Sequence, residues 1–176
     1  VDAKRGELRY KGYTIEITDL PGTYALSAYS PEEVYVRRHI IDHTPDIIVN
    51  TVVASNLERN LYLTTELIDI SPKMVIALNM YDELERSGAK FDHEALGRMI
   101  GVPIVPVVAT SGRGIEELLD RIIAVYENRD QSVRHIHIGY GSIIEEHLKD
   151  LNDDMRQHRN ELTAHFPPRY FALKLI

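Results

Sequence analysis

Three short stretches carry residue types suited to holding a purine nucleotide. Asp19-Leu20-Pro21-Gly22 closes an apolar-alternating run, and a carboxylate at a strand end can hold Mg²⁺ through water. A glycine just behind it lets its N–H approach a terminal phosphate with no Cβ in the way. Asn79-Met80-Tyr81-Asp82 follows the apolar run "VIAL". An Asp carboxylate accepts two parallel N–H bonds, and guanine presents that paired donor edge at N1 and N2 whereas adenine does not. The Asn79 amide suits the other edge of the ring or a neighbouring loop. Val108-Ala109-Thr110 opens "VATSGRG", where a backbone N–H near Ala109 can donate to guanine O6 and small side chains admit the base.

Taken singly, each stretch has a plainer explanation. Asp-x-x-Gly is most often a turn, Asn79 can be a turn former with Asp82 capping the next helix, and the third stretch can be an ordinary strand-to-helix loop. Together they fall in the order phosphate-sensing, base-reading, base-supporting. Order turns three weak signals into a strong one. No residue reads as a catalytic nucleophile or base, so the assigned roles are binding ones, with Asp19 as the metal carboxylate and Mg²⁺ as the cofactor.

Elements that would position these stretches are legible on both sides of each. Gly6 to Tyr10 and Tyr13 to Asp19 read as a hairpin turned at Lys11-Gly12. Ser30-Pro31-Glu32-Glu33 predicts a capping box with proline at the first helical position, and helix to about His43. Asp46 to Ala54 is β-branched and apolar, as a strand covered on both faces should be. Leu57, Leu61, Leu63, Leu67 and Ile68 recur near helical spacing after a cap at Ser55 or Asn56. Lys73 to Asn79 is the next strand, and two short helical patterns follow. Val102 to Ala109, "VPIVPVVA", is a strand made irregular by its prolines, and Gly114 to Tyr126 is an amphipathic helix. Strand and helix alternating in this way imply an α/β, doubly wound, mostly parallel sheet with an antiparallel hairpin edge. Ligands of such sheets sit beyond the carboxyl ends of the strands, where Asp19, Asn79 and Ala109 lie.

From Asn128 the pattern turns all-helical, with Ile144, Leu148, Leu151 and Met155 on one face and a last helix opening at "PPRYFALKLI". The expected division is residues 1–127 as the nucleotide-binding unit and residues 128–176 as a small, incomplete helical unit that packs on it.

Composition narrows the function classes. The 176 residues carry 20 Lys+Arg against 27 Asp+Glu, a net charge of −7 with scattered basic residues, which argues against a nucleic-acid partner. Cysteine is absent, which removes disulfides, thiolate metal sites and thiol nucleophiles together. No apolar run approaches the ~20 residues of a membrane-spanning helix. The opening "VDAKRGELRY" reads as the middle of a longer chain.

The three stretches resemble the third, fourth and fifth motifs of translation-factor-type GTPases, which implies the P-loop GTPase fold. "DLPGTYALSAYSPEE", "NLERNLYLTTELI" and "ALNMYDE" are more specific, and resemble the cytosolic G domain of the ferrous iron transport protein B (FeoB) family over about the whole chain. That resemblance implies GTP and GDP as ligands, a membrane-spanning part of the same parent polypeptide as partner, and a place on the cytoplasmic face of the inner membrane. It also implies that the loop after Gly22 is switch II, ordered by a γ-phosphate and released on hydrolysis. Thr23 stands where fast GTPases carry a water-orienting glutamine, so slow hydrolysis is expected.

The sequence departs from the family in two places. No G-x-x-x-x-G-K-[ST] phosphate loop occurs, so the chain by itself is expected to hold nucleotide poorly. Where relatives read "VVDATN" this chain has Val52-Val53-Ala54-Ser55-Asn56, without the Asp. The competing reading is therefore a non-catalytic G-fold interaction module; a ribosome-associated GTPase fits the acidic tail less well. Self-association is open. His39, His43 and His93 lack metal-ligand spacing and read as surface residues, and His135-Ile136-His137 lacks a third ligand. Tyr10, Tyr13, Tyr24, Tyr29 and Tyr35 read as half-buried. Glu145, Glu146, Asp150, Asp153 and Asp154 read as a solvated helix face.

Overall fold

The computed structural model describes residues 3–26, 30–70, 73–134, 136, 139–158 and 168–175. β1 (Lys4–Tyr10) and β2 (Tyr13–Asp19) pair antiparallel, with Tyr10 opposite Tyr13 and Leu8 opposite Ile15. Lys11 and Gly12 both take positive φ, the twist-matched geometry of a two-residue hairpin turn. α1 (Pro31–His43) opens with the expected capping box: the Glu33 N–H donates to the Ser30 hydroxyl and the Glu33 carboxylate accepts from the Ser30 N–H.

β3 (Ile48–Val53) leads through a 3₁₀ turn at Ala54–Asn56 into α2 (Leu57–Ile70). β4 (Met74–Asn79), α3 (Tyr81–Arg86), α4 (His93–Ile100), β5 (Ile104–Pro106) and α5 (Ile115–Tyr126) follow. β3, β4 and β5 form one parallel sheet with β4 central. Residues Met74 to Leu78 are all buried, as a strand covered on both faces requires. Met74, Ile76 and Leu78 pack with Val36 and Ile40 of α1 and Leu67 and Ile70 of α2; Val75 and Ala77 pack with Val125 of α5 on the other side. The sheet is doubly wound.

The hairpin is a two-stranded sheet of its own, not a rung of the parallel ladder. It is tied instead to α5, where Asp120 accepts from the Tyr10 hydroxyl and from Lys11 Nζ. Tyr13 adds a bond to Glu127 and an edge-on contact with the Tyr126 ring.

β5 is shorter than the Val102-to-Ala109 run suggests. Pro103 and Pro106 have no N–H to give the ladder. Pairing survives through Ile76 N–H to Pro103 O and Val107 N–H to Leu78 O, both 2.9 Å, and the chain turns at Val108 to pair with Arg113.

α6 (Ser142–His158) and α7 (Pro168–Leu175) pack together, and Leu148 and Met155 are buried on the expected face. Tyr170 of α7 joins the main core beside the residues of α1 and α2. Glu145 is only partly exposed and is more than a solvated face residue: its two oxygens take bonds of 2.8 and 2.7 Å from Arg169. One of them also accepts from the Tyr140 N–H. Tyr140 in turn donates its hydroxyl, at 2.7 Å, to Asp69 in the last turn of α2, joining the tail to that helix. Burial, then this bond, pushes the Tyr140 hydroxyl well above the usual tyrosine pKa. Tyr140→Phe would leave a buried carboxylate short of a donor, and is expected to cost about 1–3 kcal/mol. A urea titration of the variant should show a lower midpoint at unchanged slope. Among the described residues no helix is long and apolar enough to cross a membrane.

Candidate nucleotide site

The carboxyl ends of β4 and β5 lie side by side, and their two loops are cross-tied. Asn79 accepts the Ala109 N–H on Oδ1 at 3.2 Å, and the Tyr81 N–H donates to Val107 O at 3.3 Å. The second and third stretches are therefore brought together. Ala109 and Thr110 are exposed at the loop tip. With the Ala109 N–H engaged by Asn79, the neighbouring Thr110 N–H has no protein partner among the described residues and stands at the exposed tip.

Met80 sits in the left-handed region at φ 57° and caps α3, so Asp82 lies inside the first turn and is not the cap. Its carboxylate accepts from Arg86 Nη2 at 2.6 Å, one turn along, and the side chain is 39% exposed. A ligand can reach it. Tyr81 meets the His93 ring edge-on, and packs on the main core.

Glu85, on the same face of α3 as Asp82, takes two bonds from Arg113 of the third loop, at 2.7 and 2.6 Å. Those bonds hold its carboxyl below the usual glutamate range and raise the Arg113 guanidinium. This pair, 28 residues apart in sequence, is one that no local pattern announces. The loop between is closed on itself by Val108 N–H to Arg113 O at 2.9 Å.

The first stretch is set by different contacts. Asp19 ends β2 exposed, Leu20 packs against the main core, and Pro21 and Gly22 continue outward. Among the described residues no hydrogen bond joins Asp19 to Gly22 with the other two stretches. The Thr23 hydroxyl is occupied locally, donating to Ala25 O at 2.7 Å. Leu26 is fully buried and its N–H donates to Glu66 of α2, so the loop that looks free in sequence is pinned there. Tyr24 is half exposed and stacks under the Arg59 guanidinium, 3.8 Å from the ring centre. Serine, proline and alanine gave no sign of these long-range anchors. Residues 27–29, and Tyr29 with them, lie outside the described residues.

A lone exposed carboxylate such as Asp19 fits Mg²⁺ in the way that ion is commonly bound, by one protein oxygen with water and phosphate oxygens completing the shell. Among the described residues no cluster of three His, Asp or Glu side chains is placed to hold a metal by itself. His39 and His43 stack on each other with ring centres 4.1 Å apart. Burial, then His43, lowers the His39 pKa. His135 and His137 lie outside the described residues. Val53, in the segment that lacks the Asp of the "VVDATN" pattern, is the β3 partner of Asn79 in the parallel register, directly beside the second loop.

A doubly wound parallel sheet whose loops are tied together at the carboxyl ends of adjacent strands is an arrangement that G domains share with other nucleotide-binding α/β folds. A family profile described as ferrous iron transport protein B matches residues 1–122. The chain belongs to that family. It is 48% identical, over all of its length, to a Fe(2+) transport protein A/Fe(2+) transporter FeoB fusion protein of Porphyromonas gingivalis. It is 41% identical over 68% of its length to the Fe(2+) transporter FeoB of Campylobacter jejuni. The chain spans about a fifth of those proteins, 21% and 20%. Among solved structures, the cytosolic domain of the T. maritima FeoB iron transporter in a GDP form superposes with a TM-score of 0.90 at 32% identity, over 99% of this chain and 66% of that one. The cytosolic domain of L. pneumophila FeoB gives a TM-score of 0.85 at 31% identity, over 98% and 66%.

Proposed function

We propose that this chain is the GTP-binding, slowly hydrolysing regulatory part of a ferrous iron membrane transporter, on the cytoplasmic face of the membrane. The observation that carries the reading is the Asn79 to Ala109 bond, which fixes base-reading and base-supporting loops to each other. In this reading Asp82 accepts guanine N1–H and N2–H, and Asn79 braces the third loop. O6 accepts from the Thr110 N–H, one residue along from the amide expected, because Ala109 is already engaged. Met80, Tyr81 and Val108 shape the walls. Asp19 holds Mg²⁺, whose charge offsets that of the phosphates, and Leu20 and Pro21 place the Gly22 N–H against the γ-phosphate. The phosphate grip comes from the rest of the parent polypeptide.

Residues 1–127 form the nucleotide-binding unit and residues 128–176 the helical one, joined through Tyr140 and Asp69. The GDP and GMPPNP forms of the T. maritima cytosolic domain support nucleotides as ligands of this fold. Proteoliposomes of the intact protein should take up ferrous iron at different rates with GTP and with GDP enclosed. Equal rates in both, and with neither, would contradict the regulatory role and favour a binding module without turnover.

Hydrolysis should be slow because Thr23 is too short to orient water, and its hydroxyl is spent on Ala25. Thr23→Ala in the intact protein is expected to change GTP turnover by less than ~10-fold, against the ~10² or more that a lost water-orienting group costs. A single-turnover phosphate-release assay decides.

A further inference from the structure

Resting on the guanine reading above, we propose that Arg113 and Glu85 are positioning residues for the base. Their paired bonds clamp the third loop onto α3 and set the spacing between the Thr110 amide and the Asp82 carboxylate.

Two bodies joined along one edge can hinge about it. The front of the third loop is joined to the second by Asn79 and Ala109 and by the Tyr81 N–H to Val107 O bond, both on one side of the loop. Its back is joined to α3 by Arg113 and Glu85, through bonds of 2.7 and 2.6 Å. The Val108 to Arg113 bond closes the loop between these points, so Arg113 cannot swing without carrying Ala109 and Thr110 with it. Glu85 lies three residues beyond Asp82, on the same helical face. Fixing Arg113 to Glu85 therefore fixes the loop relative to the base-reading carboxylate.

The chemistry suits that task. Guanidinium and carboxylate are planar, and two parallel bonds specify orientation as well as distance, which an ammonium cannot do. Both side chains are about half exposed, at 56% and 44%, so the pair contributes little to global stability. A binding site is less tolerant, since recognition groups must stay within about 0.5 Å of their productive positions. An ion pair that hardly stabilises the fold can still govern the purine.

The test is calorimetric titration of the intact protein with GDP and with ADP. The variants are Arg113→Lys, Glu85→Gln, and the charge reversal Arg113→Glu with Glu85→Arg. ADP reads the phosphate grip alone, so the GDP to ADP affinity ratio isolates the base. Each single variant is expected to lower that ratio about tenfold, the worth of one well-made hydrogen bond, while the urea midpoint of the chain stays put. The reversal should bring the ratio back to within about threefold of wild type, because the fork can form in either sense. A ratio undiminished in both single variants overturns the brace and leaves the guanine reading standing. A wild-type ratio near one overturns both.

Discussion

Asp82→Asn in the intact protein is expected to turn a guanine-binding site into a xanthine-binding one. The carboxylate offers two acceptors to guanine N1–H and N2–H, whereas an amide offers one acceptor and a donor. Xanthine carries a carbonyl at C2, which that donor suits. Hydrogen bonds to a charged group are worth about 1.5–3 kcal/mol each, so spoiling one or two should cost GTP affinity roughly 10²-fold or more. XTP affinity should rise by a comparable factor. The fold should survive, because Asp82 is partly exposed and its partner Arg86 still finds an acceptor in the amide oxygen. Competition binding of GTP against XTP on both proteins measures the crossing. GTP preferred equally by both would place the base elsewhere.

Gly114→Ala is expected to be the most disruptive single-methyl change in the third loop. A Cβ at this position would stand 2.2 Å from Pro106 O, in backbone that also has φ +80°. Left-handed backbone costs about 1–2 kcal/mol for a residue with a side chain, and the rigid carbonyl cannot yield without moving β5. A total above about 3 kcal/mol follows, enough to shift β5, α5 and the loop bearing Arg113. Gly112 supplies the control. Its φ is +76°, yet no atom lies within 4 Å of its Cβ position. Gly112→Ala should therefore show only the backbone term. Urea unfolding of the two variants separates clash from conformational strain, and equal midpoints would mean that the Pro106 carbonyl yields freely.

Local patterns were legible wherever neighbours in sequence are neighbours in space. The Lys11-Gly12 turn, the Ser30 to Glu33 capping box and the apolar β4 all appear where residue types place them. The second and third candidate loops also meet, because the ends of β4 and β5 share one edge of the parallel sheet, whereas Asp19 ends a strand outside that sheet. What escaped was long-range. Glu145 looked solvated on its own helix, and the arginine that claims it arrives 24 residues later. The plainer alternative for Asp82, a cap of α3, fails because Met80 takes that place at φ 57°, which nothing in its residue type marks. Leu26 sat in a stretch of small and polar residues, and only the folded chain brings Glu66 to its N–H. β5 stopped early for a reason that was visible, its two prolines, although how far they would trim the ladder was not.

The central claim is that Asn79-to-Asp82 and Val108-to-Thr110 grip a single guanine. Calorimetric titration of the intact protein with GDP and, separately, ADP tests it most directly, because the two ligands share their phosphates and differ in the base. The account predicts that GDP binds at least ~10²-fold more tightly, the worth of the paired Asp82 bonds. Equal affinities for GDP and ADP would contradict it.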